Sequence, residues 1–347
     1  MRQFAAVAVL LAAFATPAWA SDKLTLVVAA LSVDRSSSVD YADGTRLAMY
    51  PPVRLAAPVN TFSASVAGVD IRGQLPDGNW TEWTSGVLTS SASVIQPRLL
   101  HSGQVSDFRL TVWQGPAPEM RSGPSYRVFA TREGLVGGKT ANGHIIKSRD
   151  HFAALPSRRG LSPKGSGSYT VKVCAASGRC AWAPVWDVGP WNTRDDYWNS
   201  TRQEWQDLPT GKPQAEAAYQ DNYNAGRDQF GRDVANPAGI DLGDGTFWDG
   251  LKLTGNSWVT VTYLWTLSGP FGYVHTPGDT LNVRNGTTSE ADIVGLAGHH
   301  AQVRVECRTV GEVVDGSQGT SDVWLRIAPG KYVAEAYVSG VSGAPAC

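Results

Sequence analysis

The chain has 347 residues, which is enough for two or three domains. Its formal net charge is −1 and 18% of its residues are charged, so nothing favours a nucleic-acid partner or a strongly charged polymer partner. The 13 Trp, 37 Gly and 20 Pro favour short strands joined by many turns. Because helix-period stretches are few, we predict a mainly β protein.

Residues 1–20 have the pattern of a secretory signal peptide. Arg2 gives a positive start, residues 4–14 form an apolar core, and Ala18-Trp19-Ala20 is a small-x-small cleavage site. The apolar stretch is too short to span a membrane, no later run is long enough, and no cysteine follows that could carry a lipid. We therefore predict a soluble, secreted mature protein without a membrane anchor.

Residues 21–120 alternate strand patterns with turns, which predicts a β-sandwich domain. Pro76-Asp77-Gly78-Asn79 predicts a hairpin turn, and Trp80 and Trp83 follow it. We expect both tryptophans to serve packing rather than to stack on sugars. The clearest strand patterns cover residues 24–31, 61–71 and 107–113. A linker rich in Gly, Pro and Ser over residues 115–125 ends this domain.

Two aspartates in the middle of the chain occupy similar settings. Asp187 lies in Val185-Trp186-Asp187-Val188-Gly189-Pro190, and Asp241 lies in Ile240-Asp241-Leu242; each is a strand pattern entering a turn. Nearby tryptophans favour partial desolvation of Asp187, which raises a carboxyl pKa and suits proton transfer near neutral pH. Paired carboxylates often cleave glycosidic bonds. The simpler alternative is a turn-forming aspartate that hydrogen-bonds its own backbone.

Residues 193–237 form a polar excursion between these two aspartates, with a short helix predicted over residues 213–226. Asp221, Asp228 and Asp233 do not fit a calcium-binding loop, so we expect a solvated loop and no metal site. A second short helix is predicted over residues 244–251, capped by Asp244. No cofactor is predicted.

The four cysteines of an exported chain predict two disulfides. Three connectivities are possible, and the simplest pairs Cys174 with Cys180 and Cys307 with Cys347. Metal binding is not expected, because no CxxC pair occurs. Beyond a second linker over residues 269–278, the last segment predicts a compact β unit. Its strands are expected at residues 280–284, 301–306, 323–327 and 331–338.

The middle segment resembles the double-psi β-barrel of the rare lipoprotein A family, which expansins, family-45 endoglucanases and membrane-bound lytic transglycosylase A share. The resemblance covers residues 126–265 and rests on short motifs in the right order. These are Thr140-Ala141-Asn142-Gly143, Ala153-Ala154-Leu155-Pro156, Val185-x-Asp187-x-Gly189-Pro190 and Ile240-Asp241-Leu242.

The resemblance implies roles for individual residues. Asp187 takes the place of the Asp in the family's D-R-G-P motif. Asp241 takes the place of an Asp that is the general acid in relatives. His151 lies near the place of an active-site histidine. Two residues depart from the family, since His144 stands where Glu is usual and Val188 where Arg is usual. Substrate contacts are then expected from Thr140, Asn142, His144, Trp191 and Tyr197, although core packing is the alternative for the two aromatic residues.

Residues 279–347 resemble a bacterial Src-homology-3-like wall-binding domain. The motifs are Leu281-Asn282-Val283-Arg284 with Gly286, and Lys331-Tyr332-Val333-Ala334-Glu335-Ala336-Tyr337-Val338. Such modules bind cell-wall peptides or glycans, so the expected partner is cell-wall polysaccharide or peptidoglycan.

Three functions follow from these patterns. The first is a glycan-cleaving enzyme, either a lytic transglycosylase or a glycoside hydrolase, that uses Asp187 and Asp241 as acid and base. The second is a non-catalytic, expansin-like polysaccharide-binding protein, which the absent glutamate favours. The third is a secreted inhibitor of another microbe's enzyme.

Overall fold

The computed structural model describes residues 23–40, 45–104, 106–115, 125–278 and 280–347. The predicted signal peptide and most of the predicted linker over residues 115–125 lie outside these ranges. The protein is mainly β, with 48% strand and 10% helix, which confirms the predicted class. It divides into two compact units between residues 119 and 120.

The first unit contains seven strands in one hydrogen-bonded sheet. The order is β1-β7-β4-β6-β3-β2, and β5 pairs with β6. The sheet encloses its own apolar cluster, which includes Tyr50, Ile71 and Phe108. The strands are β1 (Leu24–Val28), β2 (Asp34–Asp40), β3 (Thr45–Met49), β4 (Val53–Ala64), β5 (Val69–Gln74), β6 (Val87–Ser102) and β7 (Phe108–Trp113).

The single strand expected over residues 61–71 is wrong, because β4 ends at Ala64 and β5 begins at Val69. Gly68, at φ +83°, turns the chain between them, and a Cβ there would meet the carbonyl oxygen of Leu100. Trp83 is 1% exposed, as the packing interpretation predicted. The Arg72 guanidinium lies 4.3 Å from the Trp80 ring centre and 4.7 Å from that of Trp83.

The second unit begins with a closed six-stranded barrel. Its strands run in the order β10-β13-β8-β12-β9-β11, and pairing of β10 with β11 closes the ring. Two pairs are parallel, β8 with β12 and β9 with β11. The barrel strands are β8 (Tyr126–Glu133), β9 (Ala153–Leu155), β10 (Thr170–Cys174), β11 (Cys180–Val188), β12 (Ala238–Gly243) and β13 (Ser257–Tyr263).

The excursion between β11 and β12 is anchored by buried charges. Asp195 pairs with Arg202, and Asp196 pairs with Arg159; both carboxylates are fully buried. The predicted helix occurs in two pieces, α1 (Gln214–Asp221) and a turn at Tyr223–Gly226, because Asn222 between them is left-handed.

Two details of this region differ from prediction. Asp228 is not part of a solvated loop, since it is 1% exposed and accepts hydrogen bonds from Phe230 N and Arg232 N. A single π-helical stretch at Gly245–Gly250 stands where the second helix was expected, and Asp244 does not cap it. The Asp244 carboxylate instead accepts a 2.6 Å hydrogen bond from Arg132 Nη1.

The remaining strands extend the barrel sheet. Parallel pairing of β11 with β16 joins the barrel to the C-terminal part, and the sheet continues as β16-β15-β20-β19-β18. A separate three-stranded sheet has the order β17-β14-β21. The strands are β14 (Phe271–Val274), β15 (Thr280–Arg284), β16 (Ile293–Gly298), β17 (Gln302–Arg304), β18 (Cys307–Gly316), β19 (Gly319–Ala328), β20 (Lys331–Ala334) and β21 (Val338–Ser339).

Both disulfides of the simplest connectivity are present, Cys174–Cys180 and Cys307–Cys347. The first links the ends of β10 and β11, and the second ties the last residue to β18. Disulfides of this kind are typical of extracellular proteins. In the described ranges, no helix has the length and apolar character needed to cross a membrane.

Candidate functional site

The barrel brings Asp187 and Asp241 together across one short strand. Ala154 on β9 is the pairing partner of Asp187 on one side and of Asp241 on the other. Residues in register across neighbouring strands project from the same face of a sheet. Two strand spacings separate the two Cα atoms by about 10 Å, so both carboxyl groups belong to one site. Both side chains are partly exposed.

A close approach of backbone to carboxylate supports this geometry. Gly189 lies two residues after Asp187, and a Cβ built on it would be 3.8 Å from Asp241 Oδ2. The turn that follows Asp187 therefore borders the Asp241 carboxyl group directly. On the other side, Asp241 is in register with Thr131 of β8, whose hydroxyl donates a hydrogen bond to its carboxylate.

Glu133, the last residue of β8, completes the site and is not among the residues predicted from the sequence. It lies two residues after Thr131, so alternation places it on the same face. Its carboxyl group is hydrogen-bonded to that of Asp187. The residue is 8% exposed, and its Oε2 atom has no hydrogen-bond partner.

The pKa of Glu133 is raised to about 9. Burial is the largest cause, followed by the charge of Asp187, the hydrogen bond to it, and the charge of Asp241. Burial also raises the pKa of Asp187, but hydrogen bonds from Glu133, Val188 N and Ala141 N oppose that rise. Glu133 therefore carries the proton that lies between the two carboxyl groups, and the Asp187 carboxylate accepts the hydrogen bond from it.

The carboxyl group of Asp241 has a different environment from those of Glu133 and Asp187. Burial raises its pKa to about 6, the Thr131 hydrogen bond lowers it, and the charge of Asp187 raises it. An acid with such a pKa can give and take a proton near neutral pH. The site thus contains three carboxyl groups whose environments separate their pKa values, the arrangement used by acid–base catalysts.

The Thr140-to-His144 turn positions Asp187. Ala141 N donates a 2.8 Å hydrogen bond to Asp187 Oδ1, and Thr140 Oγ1 donates one of 2.8 Å to Asn142 Oδ1. Asn142 Nδ2 in turn donates to Ser162 O. Since Thr140 and Asn142 are 0% and 2% exposed, they hold the turn in place. The expected direct substrate contact by these two residues is therefore wrong.

His144 and His151 line a different feature, a cleft of about 160 Å³ that they share with His299 and His300. The His144 Nε2 atom lies 2.7 Å from Asp150 Oδ2. A Cβ on Gly245 would be 2.5 Å from the His151 ring. The histidine predicted to work with the two aspartates thus lies beside His144 in this cleft.

The two aromatic residues predicted to stack on sugars differ in exposure. Tyr197 is fully buried, donates to Gly239 O and contacts Tyr263 Oη at 2.7 Å, so it belongs to the core and the predicted sugar contact is wrong. Trp191 is partly exposed and packs on the apolar cluster beneath α1. Its Nε1 donates to Asn236 Oδ1.

Comparison with known proteins adds one match. Residues 124–262 match a family model described as a domain of unknown function (DUF8814). The matched range begins just before β8 and ends within β13, so it coincides with the six-stranded barrel and contains Glu133, Asp187 and Asp241. No curated protein matches the chain.

Within the residues that the structure describes, no group of three or more His, Cys, Asp or Glu side chains is placed to hold a metal ion.

One sequence signal could have identified Glu133. Like the two aspartates, which each stand two residues before a glycine, it lies near the end of a strand pattern that a glycine terminates, in Tyr126-Arg127-Val128-Phe129-Ala130-Thr131-Arg132-Glu133-Gly134. The pairing of β8 with β12, and of both through β9 with β11, places it in one site with Asp187. The parallel β8–β12 pairing joins segments more than 100 residues apart.

Proposed function

We propose that this protein is secreted and directed at cell-wall polysaccharide, and that the Glu133–Asp187–Asp241 site cleaves glycosidic bonds by acid–base chemistry. The observation that carries the proposal is the meeting of three carboxyl groups, since Asp187 and Asp241 are both in register with Ala154 and Glu133 is hydrogen-bonded to Asp187. Burial raises the pKa of each of the three. The disulfides and the signal-peptide pattern support export.

In the proposed reaction, Asp241 in its acid form donates its proton to the glycosidic oxygen. The bond between that oxygen and the anomeric carbon breaks as the ring gains oxocarbenium character. A nucleophilic oxygen then bonds to the anomeric carbon and gives up its proton to a carboxylate of the site. Water as the nucleophile yields a new reducing end, whereas the sugar's own 6-hydroxyl yields a 1,6-anhydro end.

The architecture proposed for this chemistry is the double-psi barrel for residues 126–265 and the Src-homology-3-like domain for residues 279–347. The two parallel strand pairs of the closed barrel and the sheet that continues it support that assignment. In this proposal the C-terminal domain docks the wall polymer. The barrel then acts on glycan held nearby.

The test is incubation of the protein with purified peptidoglycan, followed by mass spectrometry of the soluble products. Asp241→Asn should lower the rate by at least about 100-fold, as expected for loss of a general acid. Asp233→Asn is the matched control, because its side chain is 92% exposed and should leave the rate unchanged. Equal product release by wild type and Asp241→Asn would sink the catalytic proposal.

A non-catalytic, polysaccharide-binding role is the second candidate, and one observation favours it. Asp187 Oδ1 already accepts hydrogen bonds from Ala141 N and Val188 N, and the same carboxylate is bonded to Glu133. These hydrogen bonds give the Asp187 carboxylate a structural role. Co-sedimentation with insoluble wall, with no product released, would establish this role in place of catalysis.

A further inference from the structure

Two aromatic rings and one arginine form an exposed surface beside the carboxyl site. The Arg232 guanidinium lies 5.0 Å from the ring centre of Phe230 and 6.0 Å from that of Trp191. Phe230 is 57% exposed, the Arg232 side chain is 58% exposed, and Trp191 is partly exposed. We call these three residues the aromatic platform. Because the guanidinium covers one face of the Phe230 ring, the exposed surface of this ring is on its other face and its edges.

The aromatic platform adjoins the carboxyl site through the turn that follows β11. Trp191 is two residues from Gly189, and a Cβ built on Gly189 would be 3.8 Å from Asp241 Oδ2. A second connection runs to the start of β12, since Trp191 Nε1 and Ala238 N both donate to Asn236 Oδ1. The segment that leads into the strand of Asp241 therefore also holds the Trp191 ring.

A buried carboxylate fixes the aromatic platform in place. Asp228 is 1% exposed, and its carboxylate accepts hydrogen bonds from Phe230 N, Arg232 N and Arg232 Nε. Arg232 Nη2 donates a 2.7 Å hydrogen bond to Trp191 O. The guanidinium thus joins the turn that carries Phe230 to the turn that carries Trp191.

Gln229 adds a second link between the same two turns. Gln229 N donates a 2.9 Å hydrogen bond to Asn192 Oδ1, and Gln229 Nε2 donates one of 2.7 Å to Thr193 Oγ1. Thr193 N donates in return to Gln229 Oε1. Single exposed apolar side chains are common on protein surfaces. Phe230 differs because its backbone is already ordered, so a ligand that stacks on the ring costs little further conformational entropy.

The charges around the aromatic platform are balanced. Arg232 pairs with Asp228 at 2.6 Å, and the neighbouring Asp233 pairs with Arg227 at 3.5 Å. Net charge therefore does not select the ligand. An open aromatic face with N–H donors beside it suits a neutral ring that has C–H bonds on one side and hydroxyl groups at its rim. A pyranose ring has this character.

We propose that the aromatic platform is a sugar-binding subsite, in which Phe230 stacks on a pyranose ring of the glycan chain that reaches the carboxyl site. Arg232 positions the Phe230 ring. Its Nη1 atom, which neither Asp228 nor Trp191 engages, donates to a sugar hydroxyl. The inference rests on the proposed function and specifies the substrate: the protein recognises the glycan chain itself rather than the peptides attached to a wall polymer.

The test uses the full-length Asp241→Asn variant, so that binding is measured without cleavage. The probes are peptidoglycan glycan strands freed of their peptides by an amidase, and the released peptides themselves. Hydrogen exchange followed by mass spectrometry should show that the strands protect the amides of residues 228–233 and that the peptides do not. This local measurement separates the aromatic platform from glycan binding elsewhere on the chain.

Variants in the same background connect the affinity to the Phe230 ring. Phe230→Ala should weaken strand binding about tenfold, because the ring contact and its apolar burial are lost. Phe230→Tyr keeps the ring and should bind as the unchanged side chain does. Tyr219→Ala is the matched control, since Tyr219 is an aromatic residue of the same excursion, lies on α1 and is 54% exposed.

Three results would overturn the proposal, and they differ in their meaning for the carboxyl site. Equal strand affinity of Phe230→Ala and Tyr219→Ala would exclude the subsite and leave the proposed function standing. Protection of residues 228–233 by the released peptides, and not by the strands, would identify a peptide site instead. Absence of strand binding by every variant, together with absence of cleavage by the wild type, would remove the proposed function along with the subsite.

Discussion

Glu133 keeps its proton at a pH where a free glutamate is ionised, because burial and two neighbouring carboxylates oppose its charge. Its pKa rises from 4.5 to about 9. Between these values the unfolded chain loses a proton that the folded protein retains. This difference lowers the free energy of unfolding progressively as the pH rises from 4.5 to 9, and the loss stays constant above 9.

Glu133→Gln should therefore stabilise the folded protein at alkaline pH. We expect a gain on the order of 5 kcal/mol at pH 8, from ~3.5 pH units at ~1.4 kcal/mol each, and almost none at pH 4, because the neutral amide removes the ionisation of this group. Urea unfolding at pH 4, 6 and 8 measures the difference. Glu290→Gln, at an exposed position, is the control, and a gain that did not vary with pH would contradict the assigned protonation state.

At the scale of elements, the pairing of β11 with β16 joins the barrel to the C-terminal strands. Gly295 is in register with Cys180, and a Cβ on Gly295 would be 2.1 Å from the Cys180 carbonyl oxygen. Backbone cannot move aside as a flexible side chain can. The pairing therefore depends on a residue without a side chain at this position.

Gly295→Ala should separate these strands, with a loss on the order of 2 kcal/mol or more in the free energy of unfolding. Gly255→Ala is the matched control, because no atom lies within 4 Å of a Cβ built there. Amide hydrogen exchange should reveal lost protection in β16 only for the first variant. Equal stability of the two variants would show that this contact does not constrain the junction.

The two disulfides should contribute unequally, because they close loops of different length. Cys307–Cys347 joins residues 40 apart and Cys174–Cys180 joins residues 6 apart. Loop-closure entropy predicts losses of about 4 and about 2 kcal/mol when each pair is replaced by serines. Thermal and urea unfolding of the two double variants measures the order, and a larger loss for the shorter loop would contradict this explanation.

At the scale of the whole molecule, each compact unit has its own buried apolar cluster. The first is built on residues such as Ile71, Leu88 and Phe108, and the second on residues such as Val283, Val303 and Leu325. A unit with its own core and closed hydrogen-bonding pattern is expected to fold by itself.

We therefore expect residues 120–347 alone to fold with both disulfides formed and the carboxyl site intact. Calorimetry of the full-length protein should show one transition at the temperature at which this shorter chain unfolds. Disulfide mapping of the shorter chain is the accompanying check. A shorter chain that fails to give a cooperative transition would show that its stability depends on the first unit.

The class, the disulfide pairing and the positions of Asp187 and Asp241 could be predicted because they depend on local patterns. Turn residues, alternation and the Cys174–Cys180 spacing are determined within a few residues. Cys307–Cys347 joins residues 40 apart and was predicted only as the second pair of the simplest connectivity. The strands β14, β16 and most of β18 were missed. β14 lies within the predicted linker over residues 269–278. In the other two, a glycine-rich segment and exposed Val310 and Val313 give no clear alternation. For Tyr197 the sequence left sugar stacking and core packing as alternatives, because its partners, Gly239 and Tyr263, are distant in the sequence.

By itself, the sequence determined a mainly β chain, two cysteine pairs, and two aspartates that each end a strand pattern. Only the tertiary structure decided which groups meet. Pairing of β8, β9, β11 and β12 brings Glu133 to Asp187, and the β11–β16 junction gathers the histidines into one cleft. The physical reason is that pairing between distant strands fixes which side chains share a face, and with it their burial and their charge interactions.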